Sequence, residues 1–220
     1  MKEKYEGQIA FWFANIALAI VAIIIVAGIT ISGYGFYKLY EIYRFKTENV
    51  GGNYVRSVFG SSWIDADKDC QNTRAEVLIR DDDDGIVTYA DNKKCVVVSG
   101  IWYDPYTDKI FTQAKDLDID HFVPLANAYK SGADKWDKAT RIEYANYLQD
   151  PHHLLAVSLT ENRKKGAKSP DQYLPPNKDF RCEYVLEWKN IKTKWNLTIT
   201  AKENKIVNKI LSNCNNSSTK

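Results

Sequence analysis

The residues with the clearest chemical potential are Asp120 and His121, which are adjacent near the middle of the chain. They end a short run, beginning at Leu117, in which apolar and acidic residues alternate. The alternation predicts a strand, and Pro124 indicates where its regular pairing stops. A carboxylate is a hard oxygen ligand for a divalent cation, and an imidazole can act as a base near neutral pH. The pair therefore predicts a metal ligand beside a general base.

A second group of candidates lies further along the chain. His153 precedes an apolar run, Leu154–Val157, which predicts a short strand. The segment Leu159–Lys165 follows directly and predicts a helix or turn rich in basic residues. Its Asn162 offers another oxygen ligand, and lysine and arginine side chains of this kind bind phosphates. We interpret the two groups as halves of one site.

At this point the sequence resembles a known family. The segments DIDHFVPL (118–125) and TENRKKG (160–166) are similar to the HNH, or ββα-metal, nucleases. The likeness is greatest to their secreted bacterial branch and to the HNH domain of RNA-guided CRISPR nucleases. Further segments similar to the secreted branch are Thr73–Leu78, Gly100–Trp102, Ala145–Asn146, Leu174–Pro176 and Cys182 with Tyr184. The resemblance spans roughly Cys70 to Cys214.

The resemblance implies an α+β fold in which a two-stranded ribbon and a helix hold one divalent metal, with additional helices and short strands around this core. His121 matches the general base that takes a proton from water. Asp120 and Asn162 match the metal ligands, and Lys165 matches a basic residue near the phosphate. His153 stands where the family usually has an asparagine. Two roles are open for this residue, namely orienting the base or binding the metal.

Supporting roles are assigned to residues around this core. Arg163, Lys164 and Lys168 are expected to hold flanking phosphates. Arg74 and Glu76 are expected to form an ion pair that supports the site, and Asp118 is placed with them as a supporting residue. Mg²⁺ is the favoured metal because it uses few oxygen ligands and keeps several waters. Direct ligation by His153 would instead favour Mn²⁺ or Zn²⁺.

The cysteines bear on the compartment. The chain has four, Cys70, Cys95, Cys182 and Cys214, and none of them stands in a C-x-x-C motif. Two disulfides are therefore expected, and four cysteines allow three pairings. Cys70–Cys95 and Cys182–Cys214 are favoured because each joins neighbouring elements. Disulfides require an oxidising compartment, and the alternative is a cytoplasm-facing nuclease with four free thiols.

The N-terminal part has the composition of a membrane anchor. Residues 9–37 contain no charged side chain, which exceeds the ~20 apolar residues needed to cross a bilayer as a helix. A cleaved signal peptide fits less well because its apolar region is shorter. The predicted organisation is an N-terminal tail (1–8), a transmembrane helix (9–37), a juxtamembrane segment and linker (38–64), the nuclease domain (65–214) and a disordered tail (215–220). Basic residues after the span favour a cytoplasmic domain, whereas the cysteines favour an extracytoplasmic one, which we adopt.

These observations predict a membrane-anchored, metal-dependent HNH endonuclease with its domain in the periplasm or at the cell surface. The expected substrate is DNA, with RNA as a further substrate, and no separate recognition domain suggests sequence specificity. The net charge of +2 does not by itself indicate a partner. The alternative is a catalytically inactive HNH-fold module that binds nucleic acid or acts as an adaptor at the membrane.

Overall fold

The computed structural model describes residues 54–217. The predicted transmembrane helix at 9–37 lies outside the described residues, as do its N-terminal tail and most of the juxtamembrane segment. None of the helices within 54–217 combines the length and apolar character that a membrane span requires.

The described residues form an α+β domain with two small sheets. The strands are β1 (Thr88–Tyr89), β2 (Val97–Asp104), β3 (Lys109–Gln113), β4 (Leu117–His121) and β5 (Leu154–Ser158). The α-helices are α1 (Thr73–Arg80), α2 (Leu125–Lys130), α3 (Lys138–Ala145), α4 (Leu159–Lys165), α5 (Arg181–Lys194) and α6 (Ala201–Ser217). Short 3₁₀ turns occur at Arg56–Phe59, Ala114–Asp116 and Ala133–Lys135.

The first sheet is antiparallel, with strand order β1-β2-β3. It carries α1 on one side through Trp102, which is fully buried and whose Nε1 donates a hydrogen bond of 2.7 Å to the carbonyl of Leu78. Helix α1 begins after Asn72, whose side chain accepts from the backbone N–H of Ala75. This cap satisfies one of the free N–H groups of the first turn and so fixes the start of the helix.

The second sheet is a two-stranded antiparallel ribbon. Its register runs from Leu117 opposite Ser158 to His121 opposite Leu154. Helix α4 follows β5 without a loop, because the Ser158 side chain caps it by accepting from the N–H of Glu161. The ribbon and helix are thus the strand–strand–helix unit that the resemblance implies. Residues 122–153, including α2 and α3, form the connection between the two strands.

Two hydrophobic cores lie around the ribbon. Because side chains alternate along a strand, Leu117 and Ile119 of β4 face one core together with α1 and Trp102. The larger core is rich in aromatic residues and includes Tyr106, Phe122, Tyr144, Tyr184 and Trp188. The ribbon therefore ends between two packed layers, which restrict the side chains at its tip.

The segment before Asp65, which the sequence analysis assigns to a linker, packs on the domain from its first described residues. Phe59 is only 2% exposed and belongs to the larger core. Arg141 donates through Nε to the carbonyl of Val58 at 3.1 Å. Glycine and serine around Phe59 made this stretch resemble a linker, but the aromatic ring finds an apolar site in the tertiary structure. At the other end, α6 extends to Ser217, beyond the predicted domain end at Cys214.

Both favoured disulfides are present. Cys70–Cys95 ties the segment before α1 to the approach to β2, and Cys182–Cys214 joins α5 to α6. The described region has no free cysteine. Helix α6 opens with a capping box, in which the Thr200 hydroxyl accepts from the N–H of Glu203 while the Glu203 carboxylate accepts from the N–H of Thr200.

Glu203 also anchors a buried cation. The ammonium of Lys192 in α5 is 0% exposed and donates to Glu203 at 2.7 Å, to the Ser131 hydroxyl at 3.0 Å and to the Thr198 carbonyl at 3.0 Å. All three of its protons have partners. A buried ion pair of this kind is strongly destabilising to break, because it leaves the remaining charge uncompensated.

We expect Glu203→Gln to lower the free energy of unfolding by about 3 kcal/mol, since the Lys192 ammonium would lose its counter-ion. Urea unfolding of the purified protein measures this. Lys202→Gln, at an exposed neighbour in the same helix turn, is the matched control and should change stability by less than about 0.5 kcal/mol. Equal losses in the two variants would contradict the importance of the pair.

Candidate active site

Asp120 and His121 lie at the C-terminal end of β4 and are 3% and 6% exposed. Their side chains leave the strand in different directions. Asp120 contacts Lys165 of α4, while His121 contacts the carbonyl of Ala145 at the end of α3. Both residues nevertheless line one cleft, because the strand ends here and Pro124 turns the chain into α2.

Asp120 is held by three hydrogen bonds. The Lys165 ammonium donates to Oδ1 and to Oδ2, each at 2.8 Å, and the Tyr106 hydroxyl donates to Oδ2 at 2.7 Å. Lys165 is 0% exposed, and its third bond goes to the carbonyl of His121 at 3.0 Å. Burial raises the pKa of Asp120, and the positive charge of Lys165 opposes this rise. The ion pair thus connects the tip of the ribbon to α4.

The surroundings of His121 fix its tautomer and its charge. Its Nε2 lies 2.9 Å from the carbonyl oxygen of Ala145. A carbonyl can only accept, so Nε2 carries the proton and Nδ1 keeps its lone pair. Among residues 54–217, Nδ1 has no hydrogen-bond partner. The ring stacks on Trp63, with centroids 5.1 Å apart and planes inclined by 13°. Burial lowers the pKa of His121 to about 3, which keeps the free imidazole uncharged at neutral pH.

The cleft in front of His121 has a volume of about 490 Å³. Oxygen donors from Asp118, Asp120 and Asn162 line it. The Asn162 amide nitrogen lies 3.4 Å from Oδ2 of Asp118, a long hydrogen bond that orients the amide. Three arginines also line the cleft, namely Arg56, Arg74 and Arg163. The cleft therefore combines hard oxygen ligands with the cations that an anionic substrate requires.

The donor set fits a divalent metal that takes few protein ligands. Oδ1 of Asp120 accepts from Lys165 alone in the described structure, so it retains acceptor capacity towards the cleft. Asn162 uses its amide nitrogen for Asp118, which leaves its carbonyl oxygen for another partner. One carboxylate and one amide oxygen, supplemented by water and substrate phosphate, match the coordination habits of Mg²⁺.

His153 does not line the cleft, where a metal ligand would lie, and no hydrogen bond joins it directly to His121 in the described structure. It is 1% exposed and sits among the rings of Tyr144, Tyr147 and Trp195, and it does not line the cleft. Its Nε2 donates to the carbonyl of Tyr144 at 2.7 Å. That carbonyl is adjacent in sequence to the one that holds His121. His153 therefore positions the end of α3, and its influence on His121 passes through the backbone.

Other placements also differ from the sequence predictions. Lys165 does not face a phosphate position, because its ammonium is buried against Asp120. Arg74 and Glu76 do not pair within the described region. The Arg74 guanidinium instead donates to the carbonyls of Ala114 and Leu117, before and at the start of β4.

The three predicted phosphate-binding residues are divided by the structure. Arg163 lines the cleft. Lys164 is paired with Glu161 at 3.0 Å, and Lys168 donates to the carbonyl of Lys164, so neither reaches the cleft lining.

Three residues of the site were missed by sequence reasoning. Tyr106 belongs to the turn between β2 and β3, and no spacing connects it with Asp120. Arg56 and Trp63 lie in the stretch interpreted as a linker, whose glycine and serine content concealed them. For Arg56 and Trp63, the one sequence signal was that a linker seldom needs a tryptophan and an arginine.

The fold and the site now define a class. A β-ribbon followed by a helix, with an Asp-His pair and an asparagine at an open cleft, is the arrangement implied by the resemblance to ββα-metal nucleases. The family described as "GmrSD restriction endonucleases, C-terminal domain" matches residues 74–209, more than half of the chain. The chain belongs to this family.

A relative described as "Uncharacterized secreted protein" from Arthroderma benhamiae is 38% identical over 152 residues, which cover 69% of this chain and 72% of the relative. No solved structure matches the chain. These similarities support a nuclease-related family and do not single out the secreted bacterial branch.

The buried position of His153 predicts a pH dependence of stability. Burial lowers its pKa from 6.5 to about 4, so the unfolded chain binds the proton more readily. Stability is therefore complete above about pH 6.5 and falls as the pH drops towards 4, by up to about 3 kcal/mol from this residue. In His153→Asn the loss of stability at low pH should be smaller. The part of the loss that comes from His121 should remain. Urea unfolding between pH 4 and 7 measures both slopes, and identical slopes would contradict the prediction.

Proposed function

We propose that the protein is a metal-dependent endonuclease that hydrolyses DNA phosphodiester bonds with His121 as general base. The observation that supports this best is the hydrogen bonding of the two nitrogens of the His121 ring. Its Nε2 is committed to the Ala145 carbonyl, while its Nδ1 has a lone pair and no partner in the described structure. Oxygen donors of Asp120 and Asn162 line the same cleft. A base and two metal ligands around one cavity suit the activation of water beside a phosphate.

Asp120 and Asn162 would hold the metal, for which we propose Mg²⁺. When bound, such an ion neutralises charge on the phosphate and on the departing oxygen. The choice of Mg²⁺ over Zn²⁺ is supported by the placement of His153 outside the cleft, since zinc prefers nitrogen and sulfur ligands. Lys165 orients Asp120, and its adjacent positive charge opposes the rise in the Asp120 pKa that burial causes.

In this proposal the proton of the attacking water goes to Nδ1 of His121. The imidazole is uncharged at neutral pH and can accept it. Negative phosphates entering the cleft favour the protonated ring and so raise the pKa of His121 during the reaction. Trp63 restricts the ring plane by stacking, and the Ala145 carbonyl fixes the tautomer. Arg163 and Arg56 are exposed at the cleft and would contact the substrate backbone.

We further propose that the domain acts outside the cytoplasm, tethered by residues 9–37. Two disulfides support an oxidising compartment, and the relative from Arthroderma benhamiae is described as secreted. The description of the family as restriction endonucleases supports DNA as the substrate class. Little sequence specificity is expected, because the cleft presents arginines suited to phosphates, which carry no sequence information.

A non-catalytic nucleic-acid-binding module is the second candidate. The observation that favours it is the engagement of both Asp120 oxygens by the Lys165 ammonium. If this pair does not admit a cation, the cleft would bind phosphates through its arginines without cleaving them.

Plasmid cleavage tests the catalytic proposal directly. We expect purified wild-type protein to nick DNA with Mg²⁺ and to lose this activity in EDTA. His121→Ala should reduce the rate by about 10²- to 10⁴-fold, the usual contribution of a general base. His152→Ala is the matched control, because His152 is more exposed and does not line the cleft, and its rate should be unchanged.

DNA binding without cleavage, with Mg²⁺, Mn²⁺ and Zn²⁺ and equally in wild type and His121→Ala, would overturn the catalytic proposal. The binding-module alternative would then take its place.

Arg163 should contribute to affinity without sequence preference. We expect Arg163→Ala to weaken DNA binding and to reduce the slope of log affinity against log salt by about 1, because one phosphate contact is lost. Fluorescence anisotropy with labelled duplexes over a salt series measures this. Lys168→Ala removes an equal charge outside the cleft, so a similar slope change in both variants would contradict an assigned role for Arg163.

A further inference from the structure

A second metal site is suggested by the twelve residues Asp65–Glu76, which precede and open α1. Carboxylates stand at the first, third, fifth and twelfth positions of this segment, at Asp65, Asp67, Asp69 and Glu76. Calcium-binding loops of the EF-hand type use these positions, together with a backbone carbonyl at the seventh and a closing glutamate at the twelfth. The sequence matches this spacing except at the sixth position, where the loop usually has glycine and this chain has Cys70.

The backbone at Cys70 compensates for the missing glycine. Its φ is +78°, in the left-handed region that the sixth position of such loops requires. Two interactions hold it there. Its N–H donates to Oδ2 of Asp65 at 3.0 Å, and its side chain is fixed to Cys95 by the disulfide. The departure from the usual pattern therefore does not prevent the turn.

The three aspartates converge. Ligand oxygens of Asp65, Asp67 and Asp69 lie within 4.8 Å of one another, and all three residues are exposed. Within residues 54–217, no lysine, arginine or histidine side chain forms an ion pair with any of them. Three negative charges this close repel each other. No positive side chain in the described part of the chain offsets this repulsion.

Glu76 provides an independent indication of a cation. Its Oε2 is shielded from solvent and has no hydrogen-bond partner in the described part of the chain. A buried carboxylate oxygen without a partner is costly. Burial raises the pKa of Glu76, and the negative charges of Asp67, Asp69 and Asp65 raise it further. A cation bound at the cluster would stabilise the carboxylate and relieve the repulsion.

We propose that Asp65, Asp67, Asp69 and Glu76 bind one Ca²⁺, with the backbone carbonyl of Gln71 as a further ligand. Calcium is the appropriate ion because it accepts six to eight oxygen ligands in flexible geometry, whereas Mg²⁺ demands a small octahedral site and keeps its waters. Most of this loop, Asp65–Thr73, precedes the part of the chain that the family matches, which begins at residue 74.

The acidic loop is connected to the surroundings of His121 by residues before it and within it. Before it, Trp63 stacks on His121, and the N–H of Ile64 donates to the side-chain oxygen of Asn146, next to Ala145. Within it, the Thr73 hydroxyl donates to the same oxygen of Asn146. Calcium would therefore order the wall of the cleft without contacting the reacting atoms. Its role is to position Trp63 and α1, and it is distinct from the metal at Asp120.

Calorimetric titration of CaCl₂ into EDTA-stripped full-length protein, in constant excess Mg²⁺, tests the proposal without DNA or cleavage. Excess Mg²⁺ fills any site in the cleft, so the result does not depend on nuclease activity. We expect one Ca²⁺ per chain with a Kd at or below about 10⁻⁴–10⁻³ M, the range of extracellular modules. At a hundredfold excess over Kd, Tm should rise by about 5 °C or more.

Glu76→Gln should weaken calcium binding at least about tenfold and abolish the rise in Tm. Asp67→Asn, an exposed surface change, gives the same test if the first variant does not fold. Asp83→Asn is the matched control, because it lies in an acidic run without the ligand spacing, and it should bind calcium like the wild type. The absence of a calcium response in wild type, or its persistence in both Glu76→Gln and Asp67→Asn, would overturn the proposal.

Discussion

The buried ion pair between Asp120 and Lys165 is the constraint on which the rest of the site depends. Both groups are almost fully removed from water, and each is stable there only with the other in place. The pair ties the end of β4 to the last turn of α4, and the Lys165 bond to the His121 carbonyl fixes the chain at the next residue. Tyr106 adds a contact from the turn between β2 and β3, so the three-stranded sheet also meets the ribbon at Asp120.

The connection between the two ribbon strands has a function beyond linking them. Two successive carbonyls at the end of α3, those of Tyr144 and Ala145, accept hydrogen bonds from His153 and His121. One histidine belongs to the aromatic core and the other to the cleft. A buried, neutral His153 thus holds the backbone that determines the tautomer of His121, which is how packing in the core reaches the chemistry of the cleft.

The remaining wall of the cleft is built from the segment before the family match. Trp63 covers one face of His121, and Arg56 lies at the cleft with it. Both precede the acidic loop that we propose binds calcium, while Arg74, within the loop, fixes the carbonyls before and at the start of β4. The disulfide from Cys70 to Cys95 holds the middle of this segment. One wall of the cleft therefore depends on residues that precede the segment matched by the family.

The sequence alone indicated the local features: the two strands that form the ribbon, the basic helix after the second of them, and the Asp-His pair. These follow from periodicity and short spacings, which act between residues close together in the chain. Only the tertiary structure decided that Lys165 pairs with Asp120, that His153 lies in the core and that Trp63 stacks on His121. These contacts join residues far apart in sequence, and their partners are selected by burial and by the need to satisfy each buried polar group. No local pattern records that selection.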